Sequence, residues 1–204
     1  PIENNVLKTF SIENEPVVEL VNNREREYIF ADLPDIGYST DIDTVMASSY
    51  QVKKQLQQIV KIEQPITNTL LYKRILRIWN LTRVTTRLQV FIDNLLEDAY
   101  KDPLSGDTII YWEDEEKAKD CDFYRINSKR DILDIPILEV MSAARYAIEQ
   151  QISMPTEDLK RLTSQLLGFS RKGNNLDMVT EQTIQLLVDQ GIFSHANGMV
   201  SMNN

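Results

Sequence analysis

Apolar residues recur with helical spacing along most of this chain. Over residues 49–62 they fall at Val52, Leu56, Ile59 and Val60, one face of an amphipathic helix. Pro65 stops that helix and Thr67 can cap the next, in which Leu71, Ile75, Ile78 and Trp79 recur at i, i+4, i+7 and i+8. Asn80-Leu81-Thr82 breaks the second helix, and Val84, Leu88, Phe91, Ile92, Leu95 and Leu96 line a third. So short a break predicts a helix-turn-helix over residues 63–96. Residues 102–107 (DPLSGD) read as a turn, Thr108–Trp112 as a strand, and Phe123–Ile126 as a returning strand after the polar excursion 113–122. Three helices followed by a hairpin is the order of a winged helix, with the hairpin as the wing.

The order then repeats. Pro136 suits a first helical turn, and Ile137, Met141, Ala144 and Ile148 give the next helix one face. Pro155 opens another helix with Leu159, Leu162, Leu166 and Leu167 inward, ended by Gly168. A third runs from about Asn175 to Gln190, closed by Gly191. Asn197-Gly198 then joins two alternating segments, a strong hairpin signal. Letter matches support a duplication: Ile62-Glu63-Gln64-Pro65-Ile66 with Ile148-Glu149-Gln150-Gln151-Ile152, Lys73-Arg74-Ile75 with Lys160-Arg161-Leu162, and Leu81-Thr82-Arg83 with Phe169-Ser170-Arg171. Their spacings differ by a few residues, as in an old duplication. The expected fold is mainly α with small β-hairpins: an arm or connector over 1–48, a first winged-helix-like module over 49–130 and a second over 131–204. The arm is punctuated by Asn4, Asn5, Asn14, Asn22 and Asn23, and only Glu27–Ala31 has strand-like content.

Charge changes the picture. The 204 residues carry a net charge of −9, which argues against indiscriminate binding to phosphate backbones. The distribution is uneven: residues 1–49 carry −7, 50–100 carry +4, 101–134 carry −4 and 135–204 carry −2. Only the block holding the first helix-turn-helix is basic. No apolar run reaches the roughly 18 residues of a membrane span, and Cys121 is the lone cysteine, so a cytoplasmic location is expected. The chain opens at Pro1 without a helix start, as a piece of a longer protein would.

Catalytic constellations are missing from the sequence. No phosphate-cradling G-x-x-x-x-G-K-[ST] occurs, and His195 is the lone histidine. Asp107 with Glu115-Glu116-Lys117 imitates the spacing of metal-dependent nucleases, but it falls in a stretch too polar for a core strand. The expectation is a non-enzymatic segment with no cofactor and no metal. What remains is the basic cluster. In a winged helix the third helix lies in the major groove and its N-terminal residues face bases or phosphates. The candidate nucleic-acid contacts are therefore Lys73, Arg74, Arg77, Thr82, Arg83, Thr85, Thr86, Arg87 and Gln89 in the first copy, and Arg171, Lys172, Asn174 and Asn175 in the second. The first copy keeps two spaced arginines where the second has Arg171 and Asn175, so most of the phosphate contact is expected in the first.

The stretch IEQPITNTLLYKRILRIWNLTRVTTRLQ resembles the C-terminal domain of unknown function that ends large bacterial helicase-like proteins of superfamily one, which also carry a restriction-endonuclease-like segment. Glu63-Gln64-Pro65-Ile66, Trp79, Arg83 and Arg87 fit that family's pattern, while Asn80 and Thr85 stand where glycine is usual. Leu167-Gly168-Phe169-Ser170-Arg171-Lys172-Gly173 fits a related pattern in the second half. The resemblance implies a non-catalytic accessory module of an ATP-dependent nucleic-acid-processing protein, with DNA and upstream helicase and nuclease-like domains as partners. The alternative is a protein-docking or regulatory winged helix without DNA contact, which the acidic balance suits.

Overall fold

The computed structural model describes residues 22–38, 40–105, 108–126, 129–149 and 151–203. Asn4, Asn5 and Asn14 of the expected arm, Gly106 and Asp107 of the expected turn, and Gln150 lie outside the described residues. The fold is mainly α, with small sheets.

The first unit is built from α2 (Ser49–Glu63), β2 (Ile66–Thr67), α3 (Asn68–Ile78), α4 (Thr86–Leu95), β3 (Tyr100–Lys101) and β4 (Ile110–Trp112). The predicted apolar faces of α2 and α3 are the buried ones, and Thr67 accepts the Leu70 N–H through its side chain, as a helix cap does. The three strands form an antiparallel sheet in the order β2-β4-β3, Ile66 opposite Tyr111 and Tyr100 opposite Trp112. The expected pairing of Thr108–Trp112 with a returning strand at Phe123–Ile126 is not made. β4 instead pairs with β3, the two-residue strand next after α4 in the chain. The segment 113–122 contains a short exposed helix, α5 (Glu115–Lys119), and β5 (Tyr124–Ile126) runs parallel to β1 (Glu25–Glu27).

The second unit repeats the order with α6 (Ile137–Glu149), β6 (Ser153–Pro155), α7 (Thr156–Leu166), α8 (Asn174–Asp189), β7 (Phe193–Ala196) and β8 (Met199–Met202). Its sheet order, β6-β8-β7, is the same as in the first unit. Asn197 (φ +53°) and Gly198 (φ +74°) make the two-residue turn their sequence predicts. The three letter matches do not share one register, but the elements do. α2 and α6 start at 49 and 137, α3 and α7 at 68 and 156, and α4 and α8 at 86 and 174, a constant offset of 88 residues. Thus Trp79 corresponds to Leu167, and Phe169 to Leu81. Trp79 and Leu167 are buried and cap the C-termini of α3 and α7, while Phe169 is half-buried. Charged and amide residues recur on helix surfaces by chance, so matches such as Lys-Arg slid by one or two positions.

Two position-matched devices set the bend within each helix pair. After α3, Asn80 takes φ +47° and the Leu81 N–H reaches back to the Leu76 carbonyl at 2.9 Å. After α7, Gly168 takes φ +89° and the Phe169 N–H reaches the Ser164 carbonyl at 2.9 Å. The space around Gly168 is open, so Gly168→Ala should lose stability through left-handed backbone strain alone, about 1 kcal/mol by chemical denaturation. The second device ties the helices of each pair. The Tyr72 hydroxyl donates to Asp93 at 2.8 Å, and 88 positions on Lys160 pairs with Glu181 at 3.1 Å.

The described part of the arm packs against the first unit. Tyr28, Ala31 and Val45, the last on α1 (Ile42–Ala47), are buried in the first unit's core. A chain of buried ion pairs locks arm, connector and both units together. Glu63, fully buried, accepts from the Tyr28 hydroxyl and the Ala31 N–H and pairs with Arg74 at 2.9 Å. Glu139 of α6, also fully buried, is held by Arg125 and by Arg130 at 2.7 Å. The Arg125 guanidinium donates as well to the carbonyls of Glu63 at 2.7 Å and Pro65 at 2.6 Å, so one side chain bridges the two units. Both guanidinium groups lie over the Tyr28 ring, whose hydroxyl burial and the neighbouring Glu63 push far up in pKa. No helix of the described residues is long and apolar enough to cross a membrane.

Candidate nucleic-acid interface

The turn between α3 and α4 and the first turn of α4 present the residues predicted to touch nucleic acid. Thr85 caps α4, its hydroxyl accepting the Leu88 N–H at 3.2 Å, which holds the preceding residues on the outside of the bend. Arg77, Thr82, Arg83, Thr86 and Arg87 are exposed there, and Thr85 and Gln89 are half-buried. Arg77 and Arg83 have no carboxylate partner among the described residues. Arg87 pairs with Asp43 of α1 at 2.8 Å.

Two members of the predicted cluster leave it. Arg74 points inward: its side chain is 11% exposed, paired with Glu63 and donating to the Ala31 carbonyl. A guanidinium so enclosed is a structural tie between α3 and the arm, not a surface contact. Lys73 is exposed but its ammonium is held by the buried Asp134 carboxylate at 2.6 Å, in the connector ahead of α6. The basic block is therefore smaller at the surface than in the sequence. Three of its five cations answer carboxylates brought in by the arm, by α2 and by the connector. Sequence reasoning could not find these partners, because nothing local marks Asp43, Glu63 or Asp134 as their acceptors.

In the second unit the matching turn carries Ser170, Arg171, Lys172, Asn174 and Asn175, all exposed. Arg171 and Lys172 have no carboxylate partner among the described residues. They border a cleft of about 540 Å³ between α7 and α8, into which Phe169, Gln165 and Asn174 also open. Lys160 sits on its wall, 9% exposed, held by Glu157, Asp177 and Glu181 at 2.6–3.2 Å. Burial would lower its pKa, but hydrogen bonds to the three carboxylates raise it, so the ammonium stays charged and occupied.

Glu115, Glu116 and Lys117 lie on the exposed α5, where Lys117 pairs with Glu113 and Lys119 with Glu115. Among the described residues, no group of three or more His, Cys, Asp or Glu side chains is placed to hold a metal ion. Burial pushes the Cys121 thiol up to about 12, leaving it protonated and a poor nucleophile. His195 lies on β7, its Nε2 3.1 Å from the Thr156 hydroxyl at the start of α7.

A family model described as "Protein of unknown function (DUF3320)" matches residues 47–90. The matched stretch runs from the end of α1 to the middle of α4, and so contains every candidate residue of the first unit. No curated protein and no solved structure matches the chain.

Proposed function

We propose that this chain is a tandem winged-helix module that contacts nucleic acid, DNA foremost, through the turn and first helical turn leading into α4 and α8. Helix, strand, helix, helix, strand, strand, with the last strand central in the sheet, is the winged-helix order, and it occurs twice. The observation that carries the reading is a matched pair. Arg83 and Arg171 stand 88 residues apart, each three residues ahead of the second helix of its pair, and each is exposed without a carboxylate partner among the described residues. Guanidinium groups so placed suit phosphate oxygens, and the neighbouring hydroxyls and amides (Thr82, Thr86, Asn174, Asn175) suit backbone or base-edge contacts. The resemblance of the first unit to a helicase-linked domain supports an accessory, non-catalytic role inside a larger cytoplasmic protein that unwinds or cuts DNA.

The net charge of −9 favours a second reading, in which the same turns dock a partner protein. A titration separates the two. The chain should bind both single- and double-stranded DNA at low salt, and Arg83→Ala with Arg171→Ala should weaken binding about tenfold or more, as expected when charged hydrogen bonds are removed. Binding unchanged by the double substitution would remove these turns from the interface.

A further inference from the structure

The two matched turns are not equally open, and the difference comes from the arm. Resting on the nucleic-acid reading above, we propose that residues 31–38 and 40–47 form an acidic strap that masks the phosphate-binding face of the first unit and leaves the turn before α8 as the stronger contact. The strap contains Asp32, Asp35, Asp41 and Asp43 and no Lys or Arg. It is pinned across the C-terminal end of α3. The Ile36 N–H donates to the Ile78 carbonyl at 3.0 Å and the Thr40 hydroxyl donates to the Trp79 carbonyl. These bonds satisfy carbonyls that a helix end leaves open, which fixes the path of the strap. Asp41 then caps α1, accepting the Thr44 N–H at 2.8 Å, and Val45 anchors that helix in the core with no exposed surface.

The result is a carboxylate delivered to a recognition residue. Asp43 Oδ1 lies 2.8 Å from Arg87 Nη2, the position a phosphate oxygen would take on that guanidinium. The pair is exposed, 57% for Arg87 and 73% for Asp43, so phosphate can compete for the arginine without unfolding anything. In the second unit the residue matching Arg87 is Asn175, and Arg171 and Lys172 meet no such acid. The strap therefore lowers the first face's affinity for phosphate by direct occupation of Arg87. A partner that binds the strap would uncover the first face and add it to the second.

Asp41→Asn with Asp43→Asn tests this, because asparagine caps a helix as well as aspartate and the strap keeps its path. The neutralised protein should bind double-stranded DNA about two- to fivefold more tightly at low salt, in line with an exposed ion pair released. That gain should disappear when Arg87→Ala is added. In the unaltered strap background, Arg171→Ala with Lys172→Ala should cost more affinity than Arg83→Ala with Arg87→Ala. Unchanged affinity on neutralisation, or a gain that survives Arg87→Ala, overturns the mask while leaving nucleic-acid binding in place. Absence of DNA binding by both the original and the neutralised protein overturns the nucleic-acid reading itself, and the mask with it.

Discussion

Glu139→Ala should cost about 3–5 kcal/mol of folding stability, the range for breaking a buried ion pair from one side. The substitution strands two guanidinium groups, Arg125 and Arg130, each nearly without exposed side-chain surface. Neither can turn to water, since Arg125 is fixed by the backbone carbonyls of residues 63–65 and both lie against Tyr28. The destabilisation should appear in the arm and in both units at once, because this cluster is where they meet. The same carboxylate predicts an acid response. Burial alone would raise the Glu139 pKa, but Arg125 and Arg130 overcome that and hold it below the ordinary glutamate range of about 4.3. A depressed native pKa means the stabilisation is complete above the unfolded value and is lost as pH falls through the native one. Urea midpoints should therefore be flat near neutrality and drop below about pH 4, less steeply in Glu139→Gln. A loss under about 1 kcal/mol on Glu139→Ala would mean the cluster does not carry the junction.

Trp79→Ala should cost a similar amount, about 3–5 kcal/mol, as large buried aromatic truncations do. Trp79 is 3% exposed, packs in the first unit's core and donates its indole N–H to Gln55 of α2 at 2.8 Å. It also occupies the C-cap of α3, where its carbonyl receives Thr40 of the strap. Its removal should loosen α2 against α3 and tilt the turn that presents Arg83. Leu167→Ala, the matched change in the second unit, should fall in the smaller range of about 2–5 kcal/mol for an aliphatic truncation. Chemical denaturation followed by tryptophan fluorescence, from Trp112 alone in Trp79→Ala and from both tryptophans in Leu167→Ala, would measure both. A surface-like cost for Trp79→Ala, within about 0.5 kcal/mol, would contradict its place in the core.

The sequence made the helices legible because their apolar period is strong and their ends are marked. Thr67, Asn80, Gly168 and Asn197-Gly198 each announce a cap or turn whose backbone geometry the fold then adopts. What stayed hidden was short or long-range. β3 is two residues long and carries no alternation that could be read. α1 and α5 hold six and five residues, too few to establish a period. The repeated order of elements was visible, but only one letter match, Leu81-Thr82-Arg83 with Phe169-Ser170-Arg171, had its register, because surface letters such as Lys-Arg match wherever helices are polar outside. The basic block was visible too, yet its surface was not. Arg74 is drawn inward by Glu63, Lys73 is engaged by Asp134 and Arg87 by Asp43, and such pairings exist only once the chain has closed on itself. Arg83, Arg171 and Lys172 stand where the spacing put them.

If these turns meet phosphate, binding must depend steeply on salt. The affinity of the chain for double-stranded DNA, measured across a series of salt concentrations, should fall linearly on logarithmic axes as counterions are released. Arg83→Ala with Arg171→Ala should reduce that slope by about two units, roughly one for each arginine–phosphate interaction removed, and should weaken binding to all DNA sequences alike. A slope near zero, or one that the double substitution leaves unchanged, would mean that the turns do not meet phosphate.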